Sequence, residues 1–248
     1  MIVRRPRMAA VARAAACVAL AAIAAAHAVA AATVDVIATG DNTLIQTSDG
    51  SVSDGAGPVF FAGDAGTSPR RALVRFTVAA SVPAGATIAA AVLTLHLSQT
   101  PNANTVPIEL HRVTSDWGEG TSSTTGGGGA PSTPGDATWL HTFYPGQFWT
   151  NPGGDFVAAA SAARTVTGVA SYTWSSPEMV ADAQAWLDDP THDFGWLLLG
   201  DEAGMNTARR FDSRENAILA NRPTLTITYG APVAVRAATW SRIKRLYR

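Results

Sequence analysis

The feature that most constrains this chain is a series of short runs in which apolar and polar residues alternate, each closed by Gly, Pro, Asp or Asn. Ala72–Val78 shows it best. Leu73, Arg75 and Thr77 fall on one side of an extended backbone, and Val74, Phe76 and Val78 on the other. A period of two belongs to a strand, because successive side chains leave the pleat in opposite directions. Val34–Ala38, Val59–Gly63, Ile88–Leu97 after a Pro-Ala-Gly turn, Val106–Val113, Gly195–Gly200 and Thr224–Tyr229 are further runs of strand-forming residues. Many short strands separated by turn residues predict a sandwich or barrel.

One segment has a helical period. Met179, Ala183, Trp186 and Leu187 share a face of a helix that Ser176-Pro177 opens and Asp188-Asp189-Pro190 closes. It is expected to pack across one end of the sandwich. Between Thr114 and Phe156 lies a long polar stretch centred on TSSTTGGGGAPSTPGD. Loops this long in compact domains are uncommon and often functional. Trp117, Trp139, Phe143, Tyr144, Phe148 and Trp149 lie within it. Disordered linkers are poor in aromatics, so much of this stretch should fold down.

Residues 1–30 form the pattern of a secretory signal peptide: Arg4, Arg5, Arg7 and Arg13, an apolar run from Ala14 to Ala26, and the small-x-small site Ala28-Val29-Ala30. The expected destination is secreted or cell-surface, with no transmembrane segment in the mature chain. The only cysteine, Cys17, falls inside the leader, so the folded region needs no disulfide. Residues 31–230 carry nine arginines against 19 acids, a balance of −10. This argues against nucleic acid, whose binding rests on phosphate neutralisation. Residues 231–248 form a basic tail. Trp240, Ile243 and Leu246 are spaced by three among Arg242, Lys244, Arg245 and Arg248. Such a segment is either a frayed terminus, an attachment or sorting signal on an anionic surface, or a strap that docks on the acidic body.

RRALVRFTV, VPAGATIAAAVLTLHL and ELHRVTSDWGEGTSS resemble the opening strands of the DNRLRE-domain proteins. PEMVADAQAWLDDPTHDFGWLLLGDE and RRFDSRENAILANRPTLTITY resemble that family's helix, penultimate strand and closing strand. In place of the motif that names the family, this chain has Arg210-Phe211-Asp212-Ser213-Arg214-Glu215. The resemblance covers about residues 31–230. It implies a secreted β-jelly-roll module, some relatives of which bind carbohydrate while others belong to cell-envelope or cell-aggregation proteins.

Three clusters carry candidate chemistry. In the 210–215 stretch, a strand would put Arg210, Asp212 and Arg214 on one face, with Phe211 in the core. That charged face either cross-links neighbouring strands, with Arg75 or Asp201-Glu202 as partners, or offers guanidinium forks to uronate, sulfate or hydroxyl groups. Ser213 has neither a nearby histidine nor a nucleophile elbow. In Asp116-Trp117-Gly118-Glu119-Gly120, the tryptophan either caps the core or stacks on a sugar, and the two acids form a glycosidase pair only if they face one another across a sugar. A structural calcium ion would draw on Asp41-Asn42, Asp49, Asp54, Asp201 and Glu202. His96, His111, His141 and His192 lack zinc spacing, and Gly126–Gly129 is no phosphate loop.

These observations predict an all-β fold, a jelly-roll-like antiparallel β-sandwich with one short helix. The expected function is non-catalytic binding of a polysaccharide or cell-envelope glycan. Arg75, Trp117, Trp149, Arg210 and Arg214 are the expected ligand contacts. Asp41, Asp201 and Glu202 are the candidate calcium ligands, and no other cofactor is expected. The alternatives are a structural or adhesive surface protein attached through its tail, and a polysaccharide-degrading enzyme using Asp116 and Glu119.

Overall fold

The computed structural model describes residues 31–66, 68–230 and 232. The leader at 1–30 and the amphipathic part of the tail lie outside the described residues. Within them the chain is a jelly-roll-like antiparallel β-sandwich. Its eleven main strands are β1 (Ala31–Ile37), β2 (Gly40–Ile45), β3 (Val59–Asp64), β4 (Pro69–Arg75), β5 (Thr87–Gln99), β6 (Val106–Arg112), β7 (Ala162–Val166), β8 (Ala170–Trp174), β9 (Trp196–Leu199), β10 (Arg209–Asp212) and β11 (Thr224–Gly230). All their pairings are antiparallel.

The long strand β5 organises the first sheet. Leu93 pairs with both Trp174 and Leu225, and Leu97 with both Ala170 and Phe211. So β8 flanks β5 on one side, while β11 and β10 lie in series along the other. Beyond them come β1 on β11 and β3 on β10. The second sheet runs β2-β4-β9-β6-β7. β3 joins the two, since Val59–Ala62 pairs with β10 while Gly63 and Asp64 pair with β4. Gly63 stands at this crossing with φ +112°, and a Cβ there would lie 2.9 Å from the Thr207 and Ala208 backbone. Only glycine accepts both constraints.

The period-two pattern resolves into two cores. Val74, Phe76 and Val78 face the space between the sheets with Phe60, Leu93, Leu95, Trp196 and Phe211. Leu73 faces outward, yet it is equally buried, with Leu44, Trp117, Trp139, Trp149 and Leu197. The 114–156 stretch therefore does fold down, onto the outer face of the second sheet. Its carboxylates brace it. Asp136 accepts N–H bonds from Thr133 and Thr121 at 2.6 and 2.9 Å, and Asp155 from Thr150 and Asn151 at 2.8 and 3.0 Å. Arg71 ties the layer to the sheet, donating to Gly153 O and forking onto Glu202, with Trp139 4.7 Å below its guanidinium.

The helix forms where its period places it, as α2 (Pro177–Asp188), with Ser176 accepting the Met179 N–H at 2.9 Å. Met179, Ala183, Trp186 and Leu187 are its buried residues. It closes one end of the sandwich: Gln184 accepts from Ile88 N on the first sheet, and Asp182 accepts from the Trp196 indole on the second. A second, one-turn helix, α1 (Val78–Ser81), was not expected. The strand stops at Arg75 because Val78 N–H is drawn to the Asp193 carboxylate at 3.1 Å, which turns the chain into α1. No helix among the described residues is long and apolar enough to cross a membrane.

Candidate functional site

The 210–215 stretch is divided among three environments. Phe211 enters the core as expected, stacked on Phe60 with ring centroids 5.8 Å apart. Its strand neighbour Arg209 is also wholly buried, where it donates to the carbonyls of Thr207 and Asn104. Asp212 bonds His96 Nδ1 at 2.6 Å and Asn221 Nδ2 at 3.0 Å. Ser213 is buried and donates to Gly57 O at 2.7 Å, so its hydroxyl is a brace rather than a nucleophile.

Arg210 is the member that faces a surface groove. β-Sheet register puts it directly beside Phe61 of β3 and Gln99 of β5. The three side chains form a row on the outer face of the first sheet, lining a groove with Asp64, Pro101 and Asn206. Arg210 Nε donates to Ser98 Oγ at 3.2 Å, which fixes the plane of the guanidinium. Among the described residues, its two terminal nitrogens have no hydrogen-bond partner and it makes no ion pair. The groove encloses about 160 Å³. That is well below the roughly 300–1,000 Å³ of sites that enclose a small molecule, and it suits a ligand lying across the surface.

The other expected contacts are placed differently. Trp117 is fully buried in the outer core, its indole N–H on Phe194 O at 2.8 Å and its ring beneath Arg75 at 4.7 Å. Trp149 is buried beside it and donates to Thr138 O. A sugar-stacking role needs an open ring face, which neither has. Arg75 is partly exposed but committed, holding Asp116 at 2.7 Å as well as the Trp117 ring. Arg214 forks onto Glu119, its Nε at 2.6 Å from Oε1 and its Nη2 on Oε2, and reaches Glu215 Oε1 at 2.9 Å. It is an internal counter-ion. Asp116 and Glu119 are thus tied to two different arginines, and among the described residues the 210–215 face cross-links neither to Arg75 nor to Asp201 and Glu202.

The expected calcium set also separates. Asp201 closes its own turn by accepting the Ala203 and Gly204 N–H groups, and Glu202 belongs to Arg71. Neither joins Asp41. Asn42 accepts from Ser53 Oγ and donates to Glu119 O, while Asp49 accepts the Ser51 N–H. Asp41 instead meets Glu119 and Glu215 at the seam between the sheets, the three offering carboxylate oxygens within 4.8 Å of one another. Burial pushes the Asp41 carboxyl well above the usual carboxylate range, against the opposing Arg214 N–H. Nearby Asp54 is pushed up to about 7, again chiefly by burial, although Thr124 N–H bonds it.

Phe61 and Gln99 were missed in the sequence, as were Glu119 and Glu215 as partners of Asp41. Phe61 had a signal. Phe60 and Phe61 are adjacent in a strand, so one of the two had to face away from the core. The acids had none, since their meeting depends on a loop closing over the seam. No family model matches the chain, and no curated protein matches it.

Proposed function

We propose that this protein is a non-catalytic module that binds an acidic polysaccharide or cell-envelope glycan across the groove of Phe61, Arg210 and Gln99. One observation carries this: three adjacent strands set side by side an aromatic ring, an amide and a guanidinium whose terminal donors have no partner among the described residues. Aromatic faces pack on pyranose C–H surfaces, amides bond hydroxyls, and a guanidinium forks onto a carboxylate or sulfate. Asp64 is the one carboxylate among the described residues that line this open groove, a lining that suits holding a chain rather than cutting it. Export and a place at the cell surface, drawn from the leader, and the resemblance to DNRLRE-domain proteins agree with this role.

The test is binding of the purified protein to a panel of neutral and acidic polysaccharides, with Arg210→Ala and Phe61→Ala beside the wild type. Saturable binding to an acidic member, weakened in both variants at unchanged melting temperature, is expected. Binding that both variants retain would place the site elsewhere. No binding to any polysaccharide would favour the adhesive or structural surface protein.

A further inference from the structure

The seam between the sheets holds a charge imbalance that the described residues do not resolve. Asp41 stands at the start of β2, Glu119 in the loop that follows Trp117, and Glu215 just after β10. Arg214 is the cation that pairs with them. Three carboxylates against one guanidinium leave two negative charges in a largely buried place.

Two particular oxygens carry the surplus. Asp41 is 0% exposed; its Oδ2 accepts the Arg214 backbone N–H at 2.8 Å, and its Oδ1 has no partner among the described residues. Glu215 takes Arg214 Nε on Oε1, and its buried Oε2 has no partner either. The Arg214 donors that reach the cluster are already given to Glu119, Glu215 Oε1 and Asp41 Oδ2. A buried carboxylate oxygen with no donor is among the costlier features a fold can keep.

We propose that Asp41, Glu119 and Glu215 hold a calcium-type divalent cation. The charge matches, since two positive charges cancel what Arg214 leaves. The donor chemistry matches, since an all-oxygen set without thiolate or imidazole selects a hard ion over zinc. Calcium accepts six to eight oxygens in irregular arrangements, which suits ligands from three remote segments better than magnesium's strict octahedron. Bound there, the ion staples the edge strand β2, the loop over the outer core and the exit of β10 to one another. The site is separate from the Arg210 groove, so the two assignments stand or fall independently.

The full chain is stripped with a chelator, exchanged into metal-free buffer at pH 7 and titrated with calcium chloride by calorimetry. Bound metal is then counted by mass spectrometry, and melting is followed with and without the ion. A single calcium ion per chain is expected, with a melting temperature that rises with calcium concentration, because ligand bound only to the native state stabilises it. Glu215→Gln, which keeps the side chain's size and removes its charge, should weaken calcium binding by roughly 10–100-fold, the range seen when even an outer-shell partner of a metal is removed. A wild type that binds no calcium would overturn the proposal. So would one whose melting temperature falls from pH 5 to 8 equally with and without calcium, because the surplus charge would then be closed by a proton. A clearly tighter response to magnesium chloride would overturn the assignment to calcium.

Discussion

Replacing Trp117 by alanine separates the two roles a tryptophan in this loop can have. The structure makes it the keystone of the outer core, wholly buried with Leu44, Leu73 and Leu197. Truncating a buried tryptophan costs about 3–5 kcal/mol, transfer and cavity together. The lost indole bond to Phe194 O adds about 1 kcal/mol. The ring under Arg75 adds about 0.5–1 kcal/mol at this partly exposed site. These contributions overlap, so about 4–6 kcal/mol is expected, a large part of the roughly 5–15 kcal/mol that holds a domain folded. At about 2–4 °C per kcal/mol for a domain of this size, the melting temperature should fall by about 10–20 °C. Below that temperature glycan binding should be unchanged, because Phe61, Gln99 and Arg210 stand on strands of the other sheet. Differential scanning calorimetry and a binding assay at low temperature read the two effects. A melting temperature within about 2 °C of the wild type, together with lost glycan binding, would refute the burial of Trp117 as its role.

Other perturbations have defined outcomes. Ser176→Ala removes the cap of α2, the hydroxyl that accepts from Met179 N and donates to Ser161 O, and should cost about 1–2 kcal/mol in chemical denaturation. Burial raises the Asp193 carboxyl to about 6, with Val78 N–H and Arg75 pulling the other way. A folded pKa above the unfolded value gives stability that is present below about pH 4 and lost as pH rises through about 6. Asp193→Asn should therefore flatten the fall in melting temperature between pH 4 and 7; an unchanged slope would show that Asp193 does not titrate there. Arg71→Ala breaks the fork onto Glu202, the bond to Gly153 O and the stack on Trp139, and should destabilise by about 2–4 kcal/mol in urea, with protease cleavage appearing first in residues 114–156.

The sheet class, the helix and the burial of Phe211 were legible because each depends on a local period. The strand Gly40–Ile45 was not: GDNTLI has no alternation, because all six positions are buried between an edge and a loop. The role of Trp117 and Trp149 stayed open for a related reason. A sequence shows that Leu73 faces away from Val74, but not that the outward face is itself covered. Arg210 and Arg214 look equivalent in the chain, four residues apart on one expected strand face. What separates them is a partner 95 residues distant from Arg214, Glu119, that the loop brings in and that Arg210 lacks.

The most direct test of the account is to observe the arginine and indole side-chain N–H signals of isotope-labelled protein by NMR while an acidic oligosaccharide from the binding panel is added. The account predicts that Arg210 Nε–H shifts to saturation while the Trp117 and Trp149 indole signals stay in place. Shifts at those indoles or at Arg214, with Arg210 unmoved, would contradict it.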